Sequence, residues 1–180
     1  FGHVRGAFTD ARFDRTGLLI AAGSGTVLLD EIGELGLVLQ PKLLRAIEQR
    51  CVRPLGAVSE RAFEARIVAA TNRDLEADVS AGRFRADLFY RLAVLRIEMP
   101  PLRSRREDIA GLLRHFLRRS AREACRVEPE VQEDVLASIM AWSWPGNVRE
   151  LANCAEHLVQ FCRGGRAEPV SYTHLTLPTK

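Results

Sequence analysis

Gly25-Thr26-Val27-Leu28-Leu29-Asp30-Glu31 runs from a glycine through four strand-compatible residues into two adjacent carboxylates. An apolar run this short, preceded by Gly23-Ser24, predicts a buried strand rather than a helix. Open α/β sheets bind their ligands at the carboxyl ends of the strands, and Asp30 and Glu31 stand at such an end. A second apolar run over residues 64–71 stops at the polar Asn72-Arg73-Asp74. If the two strands are parallel, Asn72 reaches the same edge as Asp30.

The surroundings fit that frame. Leu39, Leu43, Leu44 and Ile47 follow helical spacing, which predicts a helix over residues 38–50 with Pro41 tolerated in its first turn. Residues 52–58, with Pro54 and Gly56, read as a loop or hairpin. Residues 83–91 predict a short helix and residues 93–98 a third strand. Met99-Pro100-Pro101 continues neither, so a domain boundary is expected there. Beyond it, Ile109, Leu112, Leu113, Phe116 and Leu117 match a helical template, a second helix is expected over 129–141, and a last over 148–161, ended by Gly164-Gly165. Three successive helices after an α/β segment suggest a small helical lid, with Trp142 and Trp144 packing it against the core.

Composition narrows the class. The chain has 180 residues, 47% apolar and 27% charged, enough to bury a core and too apolar for a disordered tail. No apolar run reaches the roughly 18 residues of a membrane span. A net charge of +3 does not by itself mark a nucleic-acid binder. Cys51, Cys125, Cys154 and Cys162 show no CxxC pattern and fit a reducing cytoplasm. Lys42 and Lys180 are the only lysines, and the arginine bias suggests GC-rich bacterial coding DNA. Arg114, Arg118, Arg122 and Arg126 recur every fourth residue, either to touch phosphates or as a solvated face. Cys154, His157 and Cys162 lack the spacing signature of a metal site.

Both ends read as cut. The first motif begins within a loop's length of Phe1. Residues 170–180 break in composition, and Val170-Ser171-Tyr172-Thr173-His174-Leu175 matches one reading frame of a sequencing-library adapter, so native sequence is expected to end near Pro169.

A tandem acid pair after an apolar strand suits phosphoryl transfer: one carboxylate holds Mg²⁺ while the next orients the attacking water. An acidic surface turn is the plainer alternative. The companion glycine loop, G-x-x-x-x-G-K-[ST], is absent from these 180 residues, because neither lysine stands in that context. Either the chain is no nucleotide hydrolase or that loop lies upstream of Phe1.

Five ordered segments carry a resemblance. They are Phe1-Gly2-His3-Val4-Arg5-Gly6-Ala7-Phe8-Thr9-Asp10-Ala11, Gly25-Thr26-Val27-Leu28-Leu29-Asp30-Glu31-Ile32-Gly33-Glu34-Leu35, Arg66-Ile67-Val68-Ala69-Ala70-Thr71-Asn72-Arg73-Asp74-Leu75, Phe84-Arg85-Ala86-Asp87-Leu88-Phe89-Tyr90-Arg91-Leu92 and Trp144-Pro145-Gly146-Asn147-Val148-Arg149-Glu150-Leu151. The chain resembles the AAA+ domain of bacterial enhancer-binding proteins, the sigma-54-dependent transcriptional activators. The resemblance implies an α/β fold: a partial P-loop NTPase with a parallel sheet sandwiched by helices over 1–99, an all-α lid over 100–167, and a non-native or disordered tail over 168–180.

The resemblance also implies function. ATP and Mg²⁺ are the expected substrate and cofactor, with Asp30 for Mg²⁺, Glu31 for the attacking water and Asn72 as the γ-phosphate sensor. Arg85 and Arg91 match arginine fingers that reach the neighbouring subunit's site in a ring, conventionally a hexamer. A finger is worth about 10³–10⁵ in rate, so a lone subunit should be nearly inactive. Arg149 matches the lid arginine that contacts nucleotide. Gly6, Ala7, Phe8, Thr9, Asp10 and Ala11 match the loop that contacts sigma-54, with Asp10 where the family usually has glycine. The expected partners are sigma-54 RNA polymerase holoenzyme, further copies of the chain, and promoter or enhancer DNA through a helix-turn-helix not present here. The expected location is the cytoplasm, and the expected setting a response regulator that hydrolyses ATP to open promoters. The alternatives are a nonhydrolytic regulatory interaction module, or an AAA+ remodeller without sigma-54 contact.

Overall fold

The computed structural model describes residues 1–162 and 166–167, so the expected compositional break over 170–180 lies outside the described residues. The chain divides into two units, the first spanning Phe1–Ile97 and the second beginning at Glu98. No helix among the described residues is long and apolar enough to cross a membrane.

The first unit contains β1 (Gly2–His3), β2 (Arg15–Thr16), α1 (Leu18–Ala21), β3 (Thr26–Leu29), α2 (Gln40–Gln49), β4 (Cys51–Val52), β5 (Arg61–Ala62), β6 (Arg66–Ala69), α3 (Leu75–Ser80) and α4 (Ala86–Leu92). Its centre is the parallel pair β3 and β6, in a register that sets Thr26 beside Arg66 and Leu29 beside Ala69. The pairing continues past the strands, with the Ala70 N–H donating to Leu29 O and the Ile32 N–H to Ala70 O, both at 2.9 Å. Two clusters flank this pair. Leu19, Ala46, Val52, Phe63 and Ala65 pack with Val27 and Ile67. Ile32, Leu43, Phe84 and Leu88 pack with Leu29 and Ile47. Helix α2 contributes to both, which locks its orientation.

Two expectations for this unit change, and the loop-or-hairpin reading of residues 52–58 resolves as a hairpin. Residues 93–98 form no strand. Val94, Leu95 and Ile97 are 83%, 77% and 77% exposed. A strand is defined by pairing, and no described segment lies alongside to take its ladder bonds. The 52–58 segment is the connection of an antiparallel hairpin, closed by Cys51 opposite Ala62 and Val52 opposite Arg61. The buried stripe of α2 begins at Gln40, not Leu39: Gln40 is 0% exposed and Leu39 48%.

The second unit contains α5 (Glu107–Glu123), β7 (Glu130–Val131), α6 (Glu133–Ala141), α7 (Asn147–Phe161) and β8 (Arg166–Ala167), with β7 and β8 parallel. Ile109, Leu113, Leu117, Val135, Ile139, Leu151 and Leu158 share one core. The second helix starts later than the expected 129, because Glu130 and Val131 pair as a strand. Both tryptophans take part in this unit's own packing. Trp144 is buried in the core and donates its indole N–H to Ile139 O at 2.9 Å, and Trp142 donates to Glu150 at 2.9 Å. The arginine stripe is interrupted. Helix α5 ends at Glu123, Cys125 has φ 52°, and Arg126 turns to donate to the carbonyls of Val159 and Gln160 at the end of α7. Cys154 is buried, and burial, aided by the charge of Glu150, pushes its thiol up to about 11.

Candidate active site

The register of β3 and β6 brings Asp30, Glu31 and Asn72 to one edge. At the end of β3 the chain turns through a left-handed residue at Glu31, φ 50°, into a 3-10 turn over Ile32–Glu34. A non-glycine residue in that region costs on the order of 1–3 kcal/mol and persists only where the surroundings hold it. Asp30 Oδ1 accepts the Glu31 N–H at 3.0 Å, and the Ile32 bond to Ala70 fixes the far side of the turn. Both carboxylates are exposed, and no cation pairs with either among the described residues. Two hard-oxygen groups without a cation partner at a strand end are of the donor type that Mg²⁺ takes, so their chemistry fits that ion.

Asn72 sits at an exposed turn beyond β6, between two side-chain caps. Thr71 Oγ1 accepts the Arg73 N–H at 3.1 Å, and Asp74 Oδ1 caps α3 by accepting from Glu76 at 3.0 Å and Ala77 at 3.1 Å. The two turns touch at Gly33. A Cβ there would lie 2.8 Å from Thr71 Oγ1 and 2.9 Å from Arg73 Cδ, so any larger residue would have to displace those two side chains.

A charge cluster continues from this edge. Arg73 lies 3.4 Å from Glu34 and 2.7 Å from Asp78, and Arg83 lies 2.7 Å from Asp78. Burial opposes the charge of Asp78, but hydrogen bonds from Arg73 and Arg83 overcome it and hold its carboxyl below the ordinary range. Arg85, at the start of α4, grips Asp87 in a two-pronged contact of 3.0 and 2.6 Å, which lowers the Asp87 carboxyl and raises the Arg85 guanidinium.

The remaining residues lie apart. Arg91, exposed in the last turn of α4, borders a hollow of about 320 Å³ with Arg50, Glu64 and Arg66. Gly6, Ala7, Phe8, Thr9, Asp10 and Ala11 form a closed loop beside β1 and β2: the Gly6 N–H donates to Ala11 O at 2.8 Å and the Ala11 N–H to Phe8 O at 2.9 Å. Phe8 is 49% exposed, with its ring edge-on to His3 at 5.0 Å. Arg149 is exposed in the first turn of α7, in the second unit.

The description "Sigma-54 interaction domain" matches residues 1–98, and "AAA+ ATPase lid domain" matches residues 103–176. The chain belongs to the sigma-54 interaction domain family. Regulatory protein AtoC of Escherichia coli strain K12 is 50% identical over 88% of this chain, and response regulator protein PilR of Pseudomonas aeruginosa is 44% identical over 94%. This sigma-54 interaction domain and lid span 34% of AtoC and 38% of PilR, about a third of each relative's length. The crystal structure of NtrX from Brucella abortus in complex with ADP superposes with a TM-score of 0.82 at 32% identity, over 98% of this chain and 39% of that one. The fold is therefore α/β of AAA+ type with a helical lid.

Gln40 and the Arg73–Asp78–Arg83 cluster escape a reading by motif. The one signal for Gln40 was a polar residue on an apolar stripe, three, four and seven positions before Leu43, Leu44 and Ile47. The cluster joins Asp78 of α3 to Arg73 and Arg83 in the turns on either side of that helix, five residues away each, a spacing that no motif marks.

Proposed function

We propose that the chain is the ATP-hydrolysing module of a cytoplasmic response regulator that activates sigma-54 RNA polymerase by remodelling its closed promoter complex. The observation that carries this reading is the shared edge: an unpaired acid pair in a strained turn, clipped by Gly33 to the turn bearing Asn72. In this reading the α/β part covers residues 1–99 and the lid 100–167, and the subunits assemble as a ring, conventionally a hexamer. DNA is recognised by a segment outside this chain.

Asp30 would hold Mg²⁺, which would supply neutralisation of charge on the phosphates. Glu31 accepts a hydrogen bond from the attacking water and orients it. Asn72 donates its amide to the γ-phosphate, and Arg73 anchors that turn through Asp78. Arg85 and Arg91 are presented to the neighbouring subunit's site, and Arg149 contacts nucleotide from the lid. Phe8, half exposed at the end of a closed loop, offers an apolar contact to sigma-54.

The test uses the intact protein. Glu31→Gln should lower ATP turnover by about 10²–10⁴-fold while ATP still binds. Phe8→Ala should hydrolyse ATP and fail to open promoters with sigma-54 polymerase in vitro. Wild-type turnover in Glu31→Gln overturns the hydrolytic role, and full activation by Phe8→Ala overturns the contact role. The second reading is a nonhydrolytic regulatory module, which ATP turnover by the wild-type protein would exclude.

A further inference from the structure

Gln40 is a fully buried polar side chain to which no role has been given. It stands in the first turn of α2, where side chains slant back toward the helix N-terminus and reach chain outside the helix. Its Nε2 donates to Leu35 O at 2.8 Å and to Arg83 O at 3.1 Å, and its Oε1 accepts the Arg85 N–H at 2.8 Å. Both amide hydrogens and one acceptor site are thus spent, and every partner is backbone. A buried amide is costly unless satisfied, and a fully satisfied one specifies the geometry around it.

The partners belong to two loops. Leu35 closes the 3-10 turn that begins directly after Glu31. Arg83 and Arg85 flank Phe84, which is buried in the same cluster as Ile32. We propose that Gln40 is a positioning residue that fixes the Arg85 backbone to the loop leaving the Asp30–Glu31 pair. This rests on the reading of Arg85 as a residue acting on the neighbouring subunit's nucleotide. Gln40 sets the root of that side chain, while Asp87 sets its guanidinium and the Asp78–Arg83 pair braces the same loop. Each subunit's acid pair is thereby joined rigidly to the arginine that it presents across the interface.

The residue type follows from this geometry. Methionine fills the same volume with no hydrogen bond, glutamate brings no donor for two carbonyls, and asparagine is one methylene short. Only an amide of glutamine's length serves both loops at once.

The test measures steady-state ATP hydrolysis of the intact protein for Gln40→Met, Arg85→Ala and the double variant. Gln40→Met should lower kcat by about 10²-fold, the cost of a misplacement near 1 Å, with KM for ATP unchanged. Added to Arg85→Ala, it should lower kcat no further, because the group that it positions is gone. Gln40→Asn perturbs the fold less and should give a kcat between wild type and Gln40→Met, with the same lack of additivity. Equal losses from Gln40→Met or Gln40→Asn in the wild-type and Arg85→Ala backgrounds overturn the proposal, as does a change confined to KM. Wild-type kcat in Arg85→Ala overturns the reading of Arg85 itself and the proposal with it, a result distinct from the additive one.

Discussion

Replacing Asn147 with alanine, glycine and aspartate separates two forces that hold the start of α7, the helix that carries Arg149. Asn147 has φ 52°, and its Oδ1 accepts the N–H of Leu102, a residue 0% exposed, at 2.9 Å. Alanine loses on both counts. A left-handed backbone costs an L-residue with a Cβ about 1–2 kcal/mol, and an unpaired buried N–H about 1–3 kcal/mol. The sum is about 2–5 kcal/mol, or roughly 5–15 °C in unfolding midpoint for a chain of this size. Glycine accepts the φ and loses only the acceptor, so its loss should be about 1–3 kcal/mol. Aspartate keeps an acceptor and tolerates the conformation, so it should stay near wild type. Thermal unfolding followed by far-UV circular dichroism ranks the three. Equal losses for alanine and glycine would refute the backbone contribution, and an aspartate variant as weak as alanine would refute the hydrogen bond.

Two further outcomes follow from charge and burial. The Asp78 carboxyl is held below its ordinary 3.8 in the fold, so its contribution is present above that value and lost as pH falls through the folded one. Asp78→Asn should therefore be less stable than wild type at pH 7 and lose less on acidification below about pH 4, and denaturant midpoints that fall in parallel for both proteins would count against the Arg73–Asp78–Arg83 cluster. Cys125 is exposed whereas the Cys154 thiol is buried and raised to about 11, so a thiol reagent at neutral pH should modify Cys125 in the native protein and Cys154 only after unfolding, as read by mass spectrometry of peptides.

The parts of this protein legible in its sequence are those whose cause is local. The apolar runs that become β3 and β6, the helical spacing of Ile109, Leu113 and Leu117, and the adjacent carboxylates Asp30 and Glu31 all depend on near neighbours, and their period or order is visible in one dimension. Five ordered motifs were enough to point to the family. Pairing and burial were decided elsewhere. Residues 93–98 have the composition of a strand, yet a strand needs a neighbour for its backbone groups, and composition does not supply one. Leu39 was a better candidate than Gln40 for a buried stripe by polarity alone. Gln40 is inside because two loops, distant in sequence, offer two carbonyls and an N–H at its amide. The left-handed turn at Glu31 has the same origin, since the Ile32 bond to Ala70 holds its far side. A buried polar group or a strained residue is stable only when partners from several segments converge on it, and that convergence exists only in the folded chain.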